Sequence, residues 1–159
     1  DVVRSRGLGD VYKRQVPRPW SASHNAIVMD YIGTADAAAP TLARLSLEPD
    51  EAHRLYEQAL HSIDLMLQRG LIHGDLSAYN LLYHDGQLTL IDFPQIVRVG
   101  VNRHSEALFA RDVTRVCDYF RSQGVSCDAG EVAEEMWERY VISREGDELP
   151  SSLLPHDST

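Results

Sequence analysis

Residues 71–92 read Leu-Ile-His-Gly-Asp-Leu-Ser-Ala-Tyr-Asn-Leu-Leu-Tyr-His-Asp-Gly-Gln-Leu-Thr-Leu-Ile-Asp. Asp85-Gly86 is a strong two-residue hairpin signal between hydrophobic runs, so strands are predicted near Asn80–His84 and Gln87–Ile91. Three polar residues interrupt this apolar sequence: Asp75, Asn80 and Asp92. Asp75 and Asn80 share one loop, and a hairpin that returns to its start carries Asp92 back beside them. Two carboxylates and one amide then converge, all of them oxygen donors. Such a set suits Mg²⁺, a hard octahedral ion usually shared with phosphate oxygens. Phosphoryl transfer uses this arrangement: metal ions neutralise the phosphates while a carboxylate orients the attacking hydroxyl.

Working upstream, residues 25–33 (Asn-Ala-Ile-Val-Met-Asp-Tyr-Ile-Gly) predict a strand ending at a glycine turn, followed by an alanine-rich connector over Thr34–Pro40. Residues 49–69 predict the clearest helix. Pro49 suits its first turn, and Asp50 and Glu51 suit the positive end of its dipole. Ala52, Leu55, Tyr56, Ala59, Leu60, Ile63 and Leu67 recur at three- and four-residue steps, and Gly70 is placed to cap the end. Downstream, helices are predicted over Ser105–Gln123, with Phe109, Val113, Val116, Cys117 and Phe120 inward, and over Ala129–Val141, with Val132, Met136, Trp137 and Tyr140 inward. Residues 144–159 are expected to form a flexible polar tail.

The chain has 159 residues, 43% of them hydrophobic and 25% charged, the composition of an ordinary globular domain. No apolar run is long enough to span a membrane. A net charge of -9 argues against direct nucleic-acid binding, which needs a basic face. Cys117 and Cys127 lack metal-ligand spacing, and the simplest reading of two such thiols is a reducing cytoplasmic setting. Residues 1–19 carry five basic and two acidic residues, against ten and twenty-two in the remainder. They are expected to be a non-native or disordered leader outside the fold, with residues 20–143 as the domain. Gly7-Leu8-Gly9 within that leader is too weak a signal for a phosphate-binding loop. Lys13 is the only lysine among fifteen basic residues. It stands too few residues before Met29 for the helix and strands that a kinase lysine requires.

The five-residue offset from Asp75 to Asn80, with Asp92 following, resembles the catalytic and metal-binding loops of protein kinases. The departures are specific. Gly74 stands where ordinary kinases carry arginine, Asp92-Phe93-Pro94 replaces Asp-Phe-Gly, and no Ala-Pro-Glu follows. These departures resemble the RIO family of atypical serine/threonine kinases, with its His-Gly-Asp-Leu-Ser-x-Tyr/Phe-Asn at His73–Asn80 and Ile-Asp-x-x-Gln at Ile91–Gln95. The hinge-like Val28–Gly33 and the Arg111-Asp112-Val113 helix pattern extend the likeness. It implies an α+β, protein-kinase-like fold, mainly the helical C-terminal lobe with a catalytic-loop hairpin and most of the N-terminal lobe missing.

The resemblance also implies roles. Asp75 would be the catalytic aspartate, and Asn80 and Asp92 would hold Mg²⁺ with ATP. The Asp30 carbonyl and Ile32 amide would bond the adenine edge, with Met29 as gatekeeper. In some members of the family Asp92 would itself receive phosphate. Asp112 is expected to brace the catalytic loop, and His73 to be structural. Ser77 is expected to bond the loop backbone and Tyr79 to be core, while His24, His53, His61, His84 and His104 are expected at the surface. A protein substrate and, by the family's association, pre-ribosomal particles are the implied partners. A phosphate-covering loop and strand lysine are not visible, so the chain is expected to be a fragment that binds nucleotide weakly and turns over little. Two rivals stand beside this reading: a small-molecule phosphotransferase of the aminoglycoside or choline kinase type, and a non-catalytic pseudokinase module. Ser77-x-Tyr79-Asn80, Pro94-Gln95 and Arg111-Asp112 favour the RIO likeness over the first. Retention of Asp75, Asn80 and Asp92 argues against the second.

Overall fold

The computed structural model describes residues 16–23, 26–101 and 103–147. The expectations for residues 1–15, including Lys13 and the glycine pair, for His24, and for residues 148–159 lie outside the described residues. The described part is α+β. In chain order it comprises β1 (Pro19–Ala22), β2 (Ile27–Met29), α1 (Pro49–Gln68), β3 (Leu71–Ile72), β4 (Leu81–His84), β5 (Gln87–Leu90), β6 (Val97–Arg98), α2 (Ser105–Ser122) and α3 (Ala129–Asp147).

Helix α1 forms where its signals place it. Pro49 occupies the first turn, where its missing N–H costs nothing. Gly70, at φ 68, donates its amide to the Leu67 carbonyl and ends the helix. Ala52, Leu55, Ala59, Ile63, Met66 and Leu67 are buried at helical spacing. Helix α2 buries Phe109, Val113, Val116, Cys117 and Phe120 against them, and α3 adds Ala133, Met136 and Tyr140. Burying each such large side chain contributes roughly 1.5–3 kcal/mol. The rings interlock as well: Tyr56 meets Phe120 edge-on at 5.5 Å, and Phe109 meets Trp137 at 5.7 Å.

The strands form three two-stranded antiparallel sheets. In the hairpin β4–β5, Leu81 pairs with Leu90 and His84 with Gln87. Asp85 and Gly86 both take positive φ (47° and 73°), which gives the left-handed turn that matches strand twist. Helix α1 grips the hairpin through Gln58, whose side chain donates to the Gly86 carbonyl at 3.1 Å and accepts from the Leu88 amide at 3.1 Å. A second small sheet pairs β3 with β6, Ile72 opposite Val97. It has no counterpart in the sequence reading, because two-residue strands are too short to show a period.

At the N-terminal side, β1 pairs with β2, Pro19 opposite Met29, so the strand expected at residues 25–33 is shorter and has a partner. Asp30 fastens this hairpin: its carboxylate accepts from the Trp20 indole at 2.7 Å and from the Arg18 amide at 3.1 Å. β1 thus begins on the last residue of the expected leader, and Val16 packs against the core. At the other end, α3 runs to Asp147, past the expected domain edge at residue 143.

Candidate active site

The loop after β3 carries His73, Gly74, Asp75 and Leu76, and α2 holds it from below. The Asp112 carboxylate is 2% exposed and accepts from the Gly74 amide at 2.7 Å and the Leu76 amide at 3.0 Å. Burial pushes its carboxyl up, against the pull of those two amide bonds and the nearby His73 and Arg111 charges. Arg111 donates to the Gly74 carbonyl. Arg115, one turn further along, donates through Nη1 to Asp75 Oδ1 at 2.6 Å. The expected brace by Asp112 is therefore present, and two arginines join it. Arg115 was not singled out from the sequence. Its position four residues after Arg111, on the same helical face, was the available signal.

Gly74 has a physical reason to lack a side chain. Its φ is +84°, and a Cβ there would lie 2.4 Å from the Gln95 carbonyl oxygen. Gly74 of the His73–Asn80 motif and Gln95 of the Ile91–Gln95 motif therefore meet in space. Gly74→Ala is expected to cost roughly 1–2 kcal/mol for the left-handed backbone alone and to push the two loops apart. Thermal unfolding and amide chemical shifts of residues 73–76 and 92–96 would check this. An unshifted loop would show that the contact is not restrictive.

Asn80 is 8% exposed and closes a 3-10 turn over Ala78–Asn80. Its amide nitrogen donates to the Asp75 carbonyl at 2.8 Å, which leaves its side-chain oxygen free to face a cation. The Asn80 carbonyl in turn accepts from the Ile91 amide at 3.0 Å, so the hairpin returns the chain beside the loop it left. Asp92 follows at once, solvent-exposed and at φ 67°, a left-handed conformation that Asp tolerates better than most residues. Buried His73 bonds the Ile91 carbonyl through Nε2 at 3.0 Å and faces the Phe93 ring at 5.0 Å. A carbonyl can only accept, so Nε2 carries the proton, and the ring serves as a structural tie between the two loops. Asp75, Asn80 and Asp92 thus sit on backbone segments bonded directly to one another. Among the described residues no three His, Cys, Asp or Glu side chains gather as a metal site. The groups on these adjoining segments that could hold a cation are the Asn80 amide oxygen and the Asp92 carboxylate, with the Asp75 carboxylate on the same loop as Asn80. Such an all-oxygen set fits Mg²⁺ sharing phosphate oxygens rather than a softer metal.

Asp75 is open to solvent, and the bond from Arg115, then the Arg115 and Arg111 charges, hold its carboxyl below the ordinary range. A lowered pKa means that this ion pair stabilises the fold above the carboxyl's unfolded pKa. The contribution is lost as pH falls through the folded value. Exposed pairs are screened, so high salt is expected to bring the Asp75 titration, read by side-chain carboxyl NMR, back toward normal. A salt-independent titration would deny the pair any electrostatic role.

Tyr79 departs from expectation. It is 72% exposed rather than core, because the tight turn spends its two inward positions on Ala78 and Asn80. Ser77 makes no side-chain cap of that turn, contrary to the bond expected of it. His53, His61 and His104 are at the surface as expected, and His84 is half-buried. The hinge candidates lie apart from the catalytic loop's bonds. Met29 is 47% exposed on β2, the Asp30 side chain serves the β1–β2 hairpin, and the Ile32 carbonyl accepts from the Ala39 amide at 2.9 Å. Cys117 and Cys127 are both free thiols.

The family model for the RIO domain matches residues 6–132, a span wider than the motif likeness and one that starts inside the expected leader. The chain is similar to the RIO-type serine/threonine-protein kinase Rio1 of Haloferax volcanii, at 33% identity over 84% of this chain and 43% of the relative. It is also similar to Rio1 of Thermoplasma acidophilum, at 33% identity over 74% of this chain and 60% of the relative. Human serine/threonine-protein kinase RIO3 is 38% identical over 62% of this chain and 19% of its own length. The chain thus spans less than two thirds of each of these relatives. With the loop, brace and hairpin joined as its motifs require, the chain belongs to the RIO family of serine/threonine-protein kinases.

Proposed function

We propose that this chain carries the metal-binding half of an ATP-dependent phosphotransfer site, belonging to a RIO-type serine/threonine kinase or ATPase whose full activity needs more of the protein. The observation that supports it is the direct bonding of three segments: Asn80 to the Asp75 carbonyl, Ile91 to the Asn80 carbonyl, and the Asp112 brace beneath. Asn80 and Asp92 would hold Mg²⁺, and the bound ion would neutralise charge on the phosphates of ATP. Asp75 orients the acceptor hydroxyl and takes its proton. The Asp30 carbonyl and Ile32 amide would meet the adenine edge beside Met29. A lysine-bearing strand and a phosphate-covering loop would come from the remainder of a longer protein. The acceptor would be a serine or threonine hydroxyl of a protein, or water.

The test is nucleotide-dependent metal binding. Mn²⁺, standing in for Mg²⁺, should broaden the NMR signals of Asn80, Asp92 and their neighbours when ATP is present. Asp92→Asn should abolish the effect. Broadening at scattered surface carboxylates alone, indifferent to ATP, would sink the proposal.

A further inference from the structure

We propose that Arg115 is a positioning residue that clamps one oxygen of Asp75 and so presents the other to the phosphate acceptor. The inference rests on the phosphotransfer reading above and assigns a residue that its motifs do not contain.

The backbone at Asp75 is already fixed on every side. Asp112 holds the amides before and after it, Arg111 holds the preceding carbonyl, and Asn80 holds its own carbonyl. What those bonds leave free is the rotation of the Asp75 side chain. Arg115 removes that freedom with a 2.6 Å bond from Nη1 to Oδ1. The bond is one-pronged, and a carboxylate engaged at Oδ1 keeps Oδ2 for a hydroxyl. The clamp also has a rigid base. Asp112, Val113 and Val116, which flank Arg115 on α2, are each at most 2% exposed, whereas the Arg115 and Asp75 side chains are 42% and 43% exposed. The pair therefore sits where an acceptor can reach it, on a helix that cannot drift.

An exposed ion pair by itself stabilises a fold little. Its value here is orientation. Phosphoryl transfer is catalysed by placement and electrostatics, and small misplacements cost rate steeply. Gly74 adds to the argument. In the sequence motif of ordinary kinases an arginine precedes the catalytic aspartate, but at Gly74 the backbone φ and the Gln95 carbonyl exclude any side chain. Gly74 offers no guanidinium beside Asp75, and α2 supplies one through Arg115.

The experiment compares the chain with Arg115→Met and Arg115→Lys. Three-bond couplings to the Asp75 side-chain carboxyl report whether it holds one rotamer. The expected result is one rotamer in the parent, averaging in the methionine variant, and partial recovery with lysine, which restores the charge. In parallel, hydrolysis of labelled ATP is followed with Mg²⁺ and the chain in excess, with Asp92→Asn as the blank. Arg115→Met should lower the rate constant roughly tenfold to a hundredfold and leave half-saturation by ATP unchanged, with lysine recovering part of the rate. A single Asp75 rotamer in Arg115→Met, or a parent-like rate, would overturn the inference while leaving phosphotransfer intact. A parent rate no greater than the Asp92→Asn blank, together with no ATP-dependent Mn²⁺ broadening at Asn80 and Asp92, would instead overturn the phosphotransfer reading and this inference with it.

Discussion

Asp112→Ala is expected to destabilise the chain by about 2–4 kcal/mol, since each buried amide left without an acceptor costs roughly 1–3 kcal/mol. Two amides, those of Gly74 and Leu76, lose their partner at once. An opposing effect is real. Burial raises the Asp112 carboxyl's pKa, so its removal also relieves a desolvated charge. The orphaned donors should still dominate, because both amides belong to residues shielded from water: Gly74 and Leu76 are buried, as is His73 beside them. The midpoint of thermal unfolding should fall by roughly 10 °C. Asp112→Asn keeps one acceptor oxygen and should cost less. Amide exchange at Gly74 and Leu76 should quicken before the rest of the core does. A loss below ~0.5 kcal/mol with unchanged exchange would mean that the loop is held by its own contacts and that the α2 brace is incidental.

The second large effect is on turnover. The chain is expected to hydrolyse ATP at least ~100-fold more slowly than the ~1 s⁻¹ of a working kinase. On the proposed reading, Asp75, Asn80 and Asp92 would supply the metal-side half of the machinery. The other half is a cation on the phosphates and a loop that covers them. The described residues contain no lysine, and the sequence's only one, Lys13, precedes them. Arginine is a poor substitute for a lysine at this point, since its planar fork demands different geometry. Removing one preorganised charge partner costs about 3 kcal/mol, or a hundredfold or more. The check is a steady-state assay of the purified chain with Mg-ATP beside an Asp92→Asn control. A control-sensitive rate near ~1 s⁻¹ would show that the chain is a complete catalyst.

The features legible in the sequence were those with a repeat or a special residue. The apolar faces of α1 and α2 recur over four or more turns, and Asp85-Gly86 permits little besides a tight hairpin. The brace at Asp112 was legible through its place in a known pattern. What escaped had neither property. β3 and β6 are two residues each, and their pairing joins positions far apart in the chain. Tyr79 has the composition of a core residue, but the turn geometry that faces it outward arises only once Ala78 and Asn80 are packed. Arg115 reads as one exposed helix charge among many. Its partner is forty residues away, and only the folded loop brings the two together.

The left-handed turn at Asp85-Gly86 sets a length as well as a direction. From Asn80 to Ile91 the chain goes out along one strand and comes back along the other, and the two ends meet in register. A single residue inserted at the turn would slip that register. Asp92 would then arrive on the opposite face, with its identity and its neighbours in sequence intact. Every motif could still be read in such a chain, and none would act with another. In this chain, then, the number of residues across the hairpin matters as much as the letters of the motifs it joins, and counting them tests the site in a way that matching letters cannot.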